Sequence, residues 1–364
     1  VTERLVYLNH AAVSPPPTTT IRAIQAQLRD VHERGSLNFR NWVQTKERTR
    51  ELLASLLGAK PQQVGFVRNT SDGLSTVANG INWRSGENIV TFDREFPSNV
   101  YPWLRIRDNF GVEVRMCEER NGRIDHAELE SLIDGKTRVV AISHVQFGSG
   151  FRIDLERLGR KVRQHDALLV VDAIQALGVV PTNVEAEYMD VAAGAVHKWL
   201  LTPEGVGYVY LSDRARERIQ PTLVGWLSVP NPEDYANFDQ PWNPGTLPWD
   251  TGTGPMSLMH GLKASLELLT SFGAQNIANH LEELTDYLCE GLKAKNYGIV
   301  SSRAPGEKSQ IVCIQPPQGT SSMALYAHLR GRNIITAPRG DRLRIAPHLY
   351  NNVSDIDEIL NALP

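Results

Sequence analysis

Cysteine is scarce in this chain: three among 364 residues, Cys117, Cys289 and Cys313, with no CxxC pair and no histidine at metal-ligand spacing. That excludes a disulfide framework and a zinc site, and fits a reducing compartment. Charge of one sign is missing too. With 38 basic and 41 acidic residues the net charge is -3, so nucleic acid and membrane surfaces are not expected partners. No apolar run is long enough to span a bilayer, and the opening "VTERLVYLNHAAVSPPP" is not a basic stretch followed by an apolar one, so a cytoplasmic protein is expected. No GxGxxG follows the first strand, which argues against a nicotinamide-dependent oxidoreductase. Internal repeats and low-complexity segments are absent as well.

What is present is alternation. "TTTIRAIQAQLRDVHERG" and "VQTKERTRELLASLLGA" carry apolar residues at helical spacing. Short apolar runs then recur: "QVGFV", "NIVTF", "VEVRM", "TRVVAISHV", "ALLVVDAIQA", "DVAAGA" and "GVGYVYL", with helical segments such as "DHAELESLI" and "DLERLGRKVRQHD" between them. Strands that alternate with helices and are apolar on both faces predict an α/β fold with a mostly parallel sheet covered on both sides. From 221 to 255 the alternation stops in a stretch rich in Pro, Trp, Asn and Gly, a length of loop that is usually functional or an interface. Two long helical patterns, short strands including "RLRIAP" and a last helix "VSDIDEILNAL" then predict a smaller C-terminal α+β domain. The expected division is an N-terminal segment 1–14 lining the active site, a large domain 15–255 and a small domain 256–364.

Two ionisable residues stand where apolar strands end. Asp172 closes "LLVVD", where a carboxylate is costly unless paired, and an isolated Asp there would most simply cap the next helix. Lys198 follows "VAAGAVH" and precedes Trp199, where desolvation lowers the pKa of an amine and makes it usable. Ligands of open α/β sheets bind beyond the carboxyl ends of the strands, so these groups can meet in one pocket. A lysine and a carboxylate together suit pyridoxal 5'-phosphate, which takes a Schiff-base lysine, an acid partner for its ring nitrogen and a phosphate cradle.

The motifs "YLNHAAVSPPP", "GFVRNTSDGLSTVANGI", "SHVQFGSG", "DAIQALG", "HKWL", "GTGP" and "LRIAPHLYNN", in this order and over nearly the whole chain, resemble the fold-type I pyridoxal phosphate enzymes of aminotransferase class V. That group includes cysteine desulfurases, selenocysteine lyases, kynureninases and isopenicillin N epimerase. The resemblance implies a large seven-stranded-type sheet domain and a smaller C-terminal domain. It implies Lys198 as the cofactor lysine, Asp172 as partner of the ring nitrogen and Gln175 as partner of the phenolic oxygen. Thr70 and Ser71 would hold the phosphate at a helix start, although they also read as a plain helix cap. His197 would reach the phosphate, and Thr253 would reach that of a neighbouring subunit, which implies a homodimer with shared sites. Arg344 would grip the substrate carboxylate as a bidentate pair, with an exposed strand arginine as the alternative beside Arg339 and Arg342. Asn9 and His10 would line the substrate pocket, or merely form a loop turn. No metal is implied.

Three departures bear on the reaction. The region before Arg344, "NIITAPRGDRLRI", lacks the mobile cysteine of the desulfurases; Phe96 stands where they carry a histidine stacked on the ring; and Ala195 replaces a serine that many relatives place on the phosphate. The expected activity is therefore α-carbon chemistry on a small amino acid, with transamination or epimerisation favoured. The alternatives are a cysteine or selenocysteine lyase that eliminates without a persulfide cysteine, and a degenerate cofactor-binding scaffold. The tryptophans of the long loop, Trp226, Trp242 and Trp249, are expected at an interface.

Overall fold

The computed structural model describes residues 4–364 apart from the side chain of Pro248; the first three residues of the expected 1–14 segment lie outside the described residues. All seven apolar runs form strands: β1 Val64–Val67, β2 Asn88–Phe92, β3 Glu113–Cys117, β4 Thr137–Ser143, β5 Leu168–Asp172, β6 Val191–Ala195 and β7 Gly207–Leu211. They make one sheet in the order β1-β7-β6-β5-β4-β2-β3, with β7 antiparallel to both neighbours and the other pairs parallel. β1 and β6 therefore run the same way, and the carboxyl ends of β1, β2, β4, β5 and β6 share one edge.

The double-sided apolar pattern has the predicted cause. Val140, Ile142, Leu169 and Val171 enter one core with Leu53, Leu57, Leu262 and Leu266, while Val139, Ala141, Leu168 and Val170 enter the other with Leu74, Val77, Trp103 and Ile106. The first core is closed by α2 Phe39–Leu57 and, from later in the chain, Met256–Phe272, against which α1 Thr18–Arg34 packs; the second by α3 Thr70–Gly80 and α4 Tyr101–Phe110. Gly194 of β6 faces Tyr208 of β7, and a Cβ there would lie 2.5 Å from the Tyr208 hydroxyl, so glycine leaves the space that a buried tyrosine fills.

The smaller C-terminal part has its own core and a four-stranded antiparallel sheet, β8 Gly298–Ile299, β9 Val312–Gln315, β10 Ala337–Arg339 and β11 Arg342–Ile345, ordered β8-β9-β11-β10. Val6–Tyr7 pairs with Ile334–Ile335 and Asn9 bridges Ala346, so the N-terminal segment is tied to this part. Between β10 and β11 lies a two-residue turn, Gly340–Asp341, with Gly340 at φ 60. The 221–255 segment has little regular structure and is anchored at its end. Asp250 accepts from Lys46 Nζ at 2.7 Å and Arg50 Nη2 at 2.5 Å, and all three side chains are buried. Trp249 corrects the interface expectation, since it packs in this chain's own core; Trp226 and Trp242 are exposed.

Candidate active site

At the carboxyl edge of the sheet lies a cavity of about 310 Å³ lined from every strand end that the alternation placed there. Asn69, Thr70 and Ser71 follow β1, Phe96 and Ser98 follow β2, Phe147 follows β4, Asp172, Ile174 and Gln175 follow β5, and His197 and Lys198 follow β6; Ala11, Ala12, Arg339 and Arg344 close it.

Lys198 sits on a turn held from several directions. Leu201 adopts φ 51, unusual for a residue with a side chain, and its N–H donates to the Lys198 carbonyl at 3.2 Å. The Trp199 indole donates to Gln175 Oε1 at 2.8 Å, its carbonyl meets His348 Nε2 at 3.2 Å, and Ser14 N–H donates to the His197 carbonyl at 2.8 Å. The Lys198 ammonium lies 5.5 Å from the centre of the Phe96 ring. Burial pushes its pKa down, Asp172 opposes that, and Arg344 and Arg339 add to it. Asp172 is buried at the end of β5, its Oδ1 accepting from Ile174 N–H at 2.9 Å in a turn; no regular helix follows for it to cap. Burial pushes its carboxyl up, while the Ile174 N–H pulls it down.

The phosphate-side residues are together. The helix cap is Asn69, whose side chain accepts from Asp72 N–H at 2.9 Å, so Thr70 and Ser71 are the first residues of α3 and their N–H groups are the free ones of the helix start. This corrects the reading of the pair as the cap. Ser71 Oγ meets Ser98 Oγ at 2.7 Å. His197 is half-buried and lines the cavity, its pKa lowered by burial and by Lys198. Ala195 is buried and outside the lining. Gln175 is buried, with Nε2 donating to the Ala11 carbonyl at 3.0 Å and a second hydrogen left over, not a solvated helix residue.

Arg344 is fully buried. Nη1 donates to the Phe147 carbonyl at 3.0 Å and Nη2 to Asn9 Oδ1 at 3.4 Å, and no carboxylate pairs with it among the described residues. Burial, reinforced by Arg339, lowers its pKa to about 9. Arg342, its competitor in the sequence, is bound to Glu119. Asn9 thus acts through Arg344. His10 is a correction: fully buried, it spends Nδ1 on the Ala346 carbonyl at 2.8 Å and Nε2 on the Tyr350 hydroxyl at 2.7 Å, and it does not line the cavity. Thr253 lies in a different groove, with Lys46, Arg68 and Trp249.

Glu95 is a residue the sequence reading missed. Buried before Phe96, it accepts from Ser143 N–H at 2.7 Å, Ser143 Oγ, Gln146 Nε2 at 2.7 Å and Asn99 Nδ2 at 3.2 Å, which fixes the chain from which Phe96 projects. Its signal was an acid between an apolar strand and "FPSN". Phe147, also unassigned, packs edge to face on Phe96 with ring centres 5.2 Å apart.

Whether pyridoxal phosphate fits can be judged from polar atoms left unsatisfied. Thr70 Oγ1 at the helix start and Asp172 Oδ2 at the strand end are buried without a hydrogen-bond partner, a state that costs about 1–3 kcal/mol each. A phosphate at the first and a protonated ring nitrogen at the second would satisfy both, with Lys198 between walls that hold no other amine. The residues fit the cofactor.

The aminotransferase class-V family model matches residues 6–343. Among curated proteins, the chain is 28% identical to a probable cysteine desulfurase of Methanothermobacter thermautotrophicus, over 96% of this chain and 92% of that one. It is 26% identical to the isopenicillin N epimerase of Amycolatopsis lactamdurans, over 86% and 83%. Among solved structures, a cysteine desulfurase from Thermococcus onnurineus NA1 superposes with a TM-score of 0.89 at 23% identity, covering 99% of this chain and 94% of that one. A cystine C–S lyase bound to its product, cysteine persulfide, superposes at 0.91 and 24%, covering 99% and 97%. The chain belongs to the aminotransferase class-V family, the pyridoxal phosphate-dependent enzymes of fold type I.

Proposed function

We propose that the protein is a cytoplasmic homodimer that cleaves a β-substituent from a small amino acid without passing it to a protein thiol. Among the described residues no helix is long and apolar enough to cross a membrane, and all three cysteines are free and buried. The observation that carries the reading is the pairing, in one cavity, of the unpartnered Lys198 amine with the unpaired, buried Arg344 guanidinium. Arg344 would hold the α-carboxylate, and Lys198 Nζ would take the α-proton. Bound pyridoxal phosphate supplies the electron sink, which the Asp172 carboxylate keeps effective by holding the ring nitrogen protonated.

Transamination or epimerisation, favoured by the sequence departures, is matched by fewer of the relatives: four are named cysteine desulfurases, two uncharacterized aminotransferases and one an isopenicillin N epimerase. The desulfurase names favour β-elimination. Epimerisation also lacks a second base on the Phe96 and Phe147 wall, which has no atom able to carry a proton. A protein-bound persulfide has no carrier: the Gly340–Asp341 turn leaves no loop for a thiol, and burial raises Cys313 to about 11. Transamination stays as the second reading, because the single base Lys198 suffices for it. The groove holding Thr253 and the exposed Trp226 and Trp242 would face the partner subunit, within a chain divided as 1–14, 15–255 and 256–364. A screen of amino acids that follows keto acid, sulfide and D-enantiomer together tests this. Release of the β-substituent with ammonia and a keto acid, alanine-type products being absent, supports elimination; keto acid without loss of the β-substituent supports transamination, and D-enantiomer accumulation refutes elimination.

A further inference from the structure

The charge of the cavity is unbalanced on its substrate side. Lys198, Arg339 and Arg344 line it, against the single carboxylate of Asp172 at the far end. Elsewhere on the hairpin that carries both arginines an acid is supplied from another part of the chain: its third arginine, Arg342, is bound to Glu119. Neither Arg339 nor Arg344 has an ion-pair partner among the described residues. Arg339 is half-buried, its Nη1 donating only to the Pro338 carbonyl at 2.7 Å, and burial lowers its pKa.

Register fixes how far apart the two guanidinium stems stand. Ala337 is opposite Arg344 and Arg339 is opposite Arg342, so Arg339 and Arg344 are diagonal neighbours on one face of the hairpin, with Cα atoms about 7–8 Å apart. That is a suitable base for two guanidiniums to converge on two acid groups a few bonds apart. One carboxylate needs only one bidentate fork.

We infer that the β-substituent of the substrate carries a second acidic group, close to the β-carbon, and that Arg339 receives it, a contact that simple dicarboxylic amino acids reproduce as binding probes. The inference rests on the amino-acid reading of the same cavity and narrows its substrate class. An acidic side chain neutralises the surplus guanidinium. A neutral isostere leaves it unpaired in a partly desolvated wall, and sites built around such a group reject analogues lacking it. Arg339 is then a specificity-determining residue, with Arg344 left for the α-carboxylate.

The test titrates the cofactor-loaded protein with L-aspartate, L-asparagine, L-glutamate and L-glutamine while following cofactor absorbance. The acid of at least one pair should bind tenfold or more tightly than its amide. Arg339→Gln should bring that ratio close to one, and Arg339→Lys should keep part of it, which separates a charge contact from a folding defect. Equal binding of acid and amide by the unaltered protein would overturn the inference. So would a ratio that survives Arg339→Gln, or a loss that falls equally on acid and amide, since that outcome places Arg339 on the α-carboxylate. A protein that takes up the cofactor but responds to no amino acid overturns the amino-acid reading itself, and this inference with it.

Discussion

Replacing Arg344 by methionine should make the ligand-free protein more stable and the enzyme nearly unable to hold its substrate. Arg344 is fully buried with no carboxylate beside it, and burial, reinforced by Arg339, draws its pKa far below the ordinary guanidinium value, to about 9. That fall corresponds to a cost on the order of 5 kcal/mol for keeping the charge in the folded protein. Methionine removes the cost but also the donors to the Phe147 carbonyl and Asn9 Oδ1, a loss of about 1–3 kcal/mol. A net gain of roughly 2–4 kcal/mol remains, or about 4–8 °C in Tm at the roughly 2 °C per kcal/mol expected for a chain of this size. The sign with pH follows. Because the folded pKa lies below the unfolded one, the unfolded chain binds more protons above about pH 9, and the wild type recovers stability relative to Arg344→Met as pH rises past that point. Amino-acid affinity should fall a hundredfold or more, as for removal of one member of a buried, hydrogen-bonded charge pair. The control is Arg342→Met, which strands the partly buried Glu119 and should lower the Tm instead. Thermal melts of the cofactor-loaded protein without amino acid, with titrations alongside, decide it. An Arg344→Met protein that melts below wild type yet still binds amino acids would refute the reasoning.

The Lys198 amine, its pKa depressed by burial, should let cofactor-free protein capture pyridoxal phosphate at a rate that rises with pH around a midpoint well below the ordinary 10.5, and Asp172→Asn should move that midpoint lower still; a midpoint above 10 contradicts this. With Cys117 raised to about 12 and Cys313 to about 11 by burial, serine or alanine replacements of all three cysteines should leave turnover largely intact in folded protein, and mass spectrometry should trap no persulfide on Cys313 during cysteine turnover. Asp250→Asn leaves Lys46 buried without its carboxylate and Arg50 with Glu47 alone, so denaturant unfolding should show a loss of about 3–5 kcal/mol, and sedimentation should show a weaker dimer because the Thr253 segment is released. An unchanged unfolding midpoint would deny the clamp its role.

The sheet was legible because its central strands carry consecutive apolar residues, and Leu168 to Val171 satisfy two cores at once. Strand ends then located Asp172, Lys198 and the α3 start without any knowledge of side-chain direction. What stayed hidden depended on partners distant in sequence. His10 looked free until Ala346 and Tyr350 took both ring nitrogens, and Asn69 outcompeted Thr70 as cap because its side chain reaches Asp72 N–H. Arg339, Arg342 and Arg344 share one face of a hairpin and differ only in whether an acid, Glu119, comes to meet them from another part of the chain. Glu95 was invisible for the same reason, since its four donors come from Asn99, Ser143 and Gln146.

The measurement closest to the central claim is chemical. The protein is loaded with pyridoxal phosphate, reduced with borohydride, digested, and its peptides are mapped by mass. The account predicts a protein that is yellow before reduction and bleached by it, with the reduced cofactor on Lys198, in the peptide containing "AVHKWL", and nowhere else. Label on a different lysine, or a protein that takes up no cofactor at all, would contradict it.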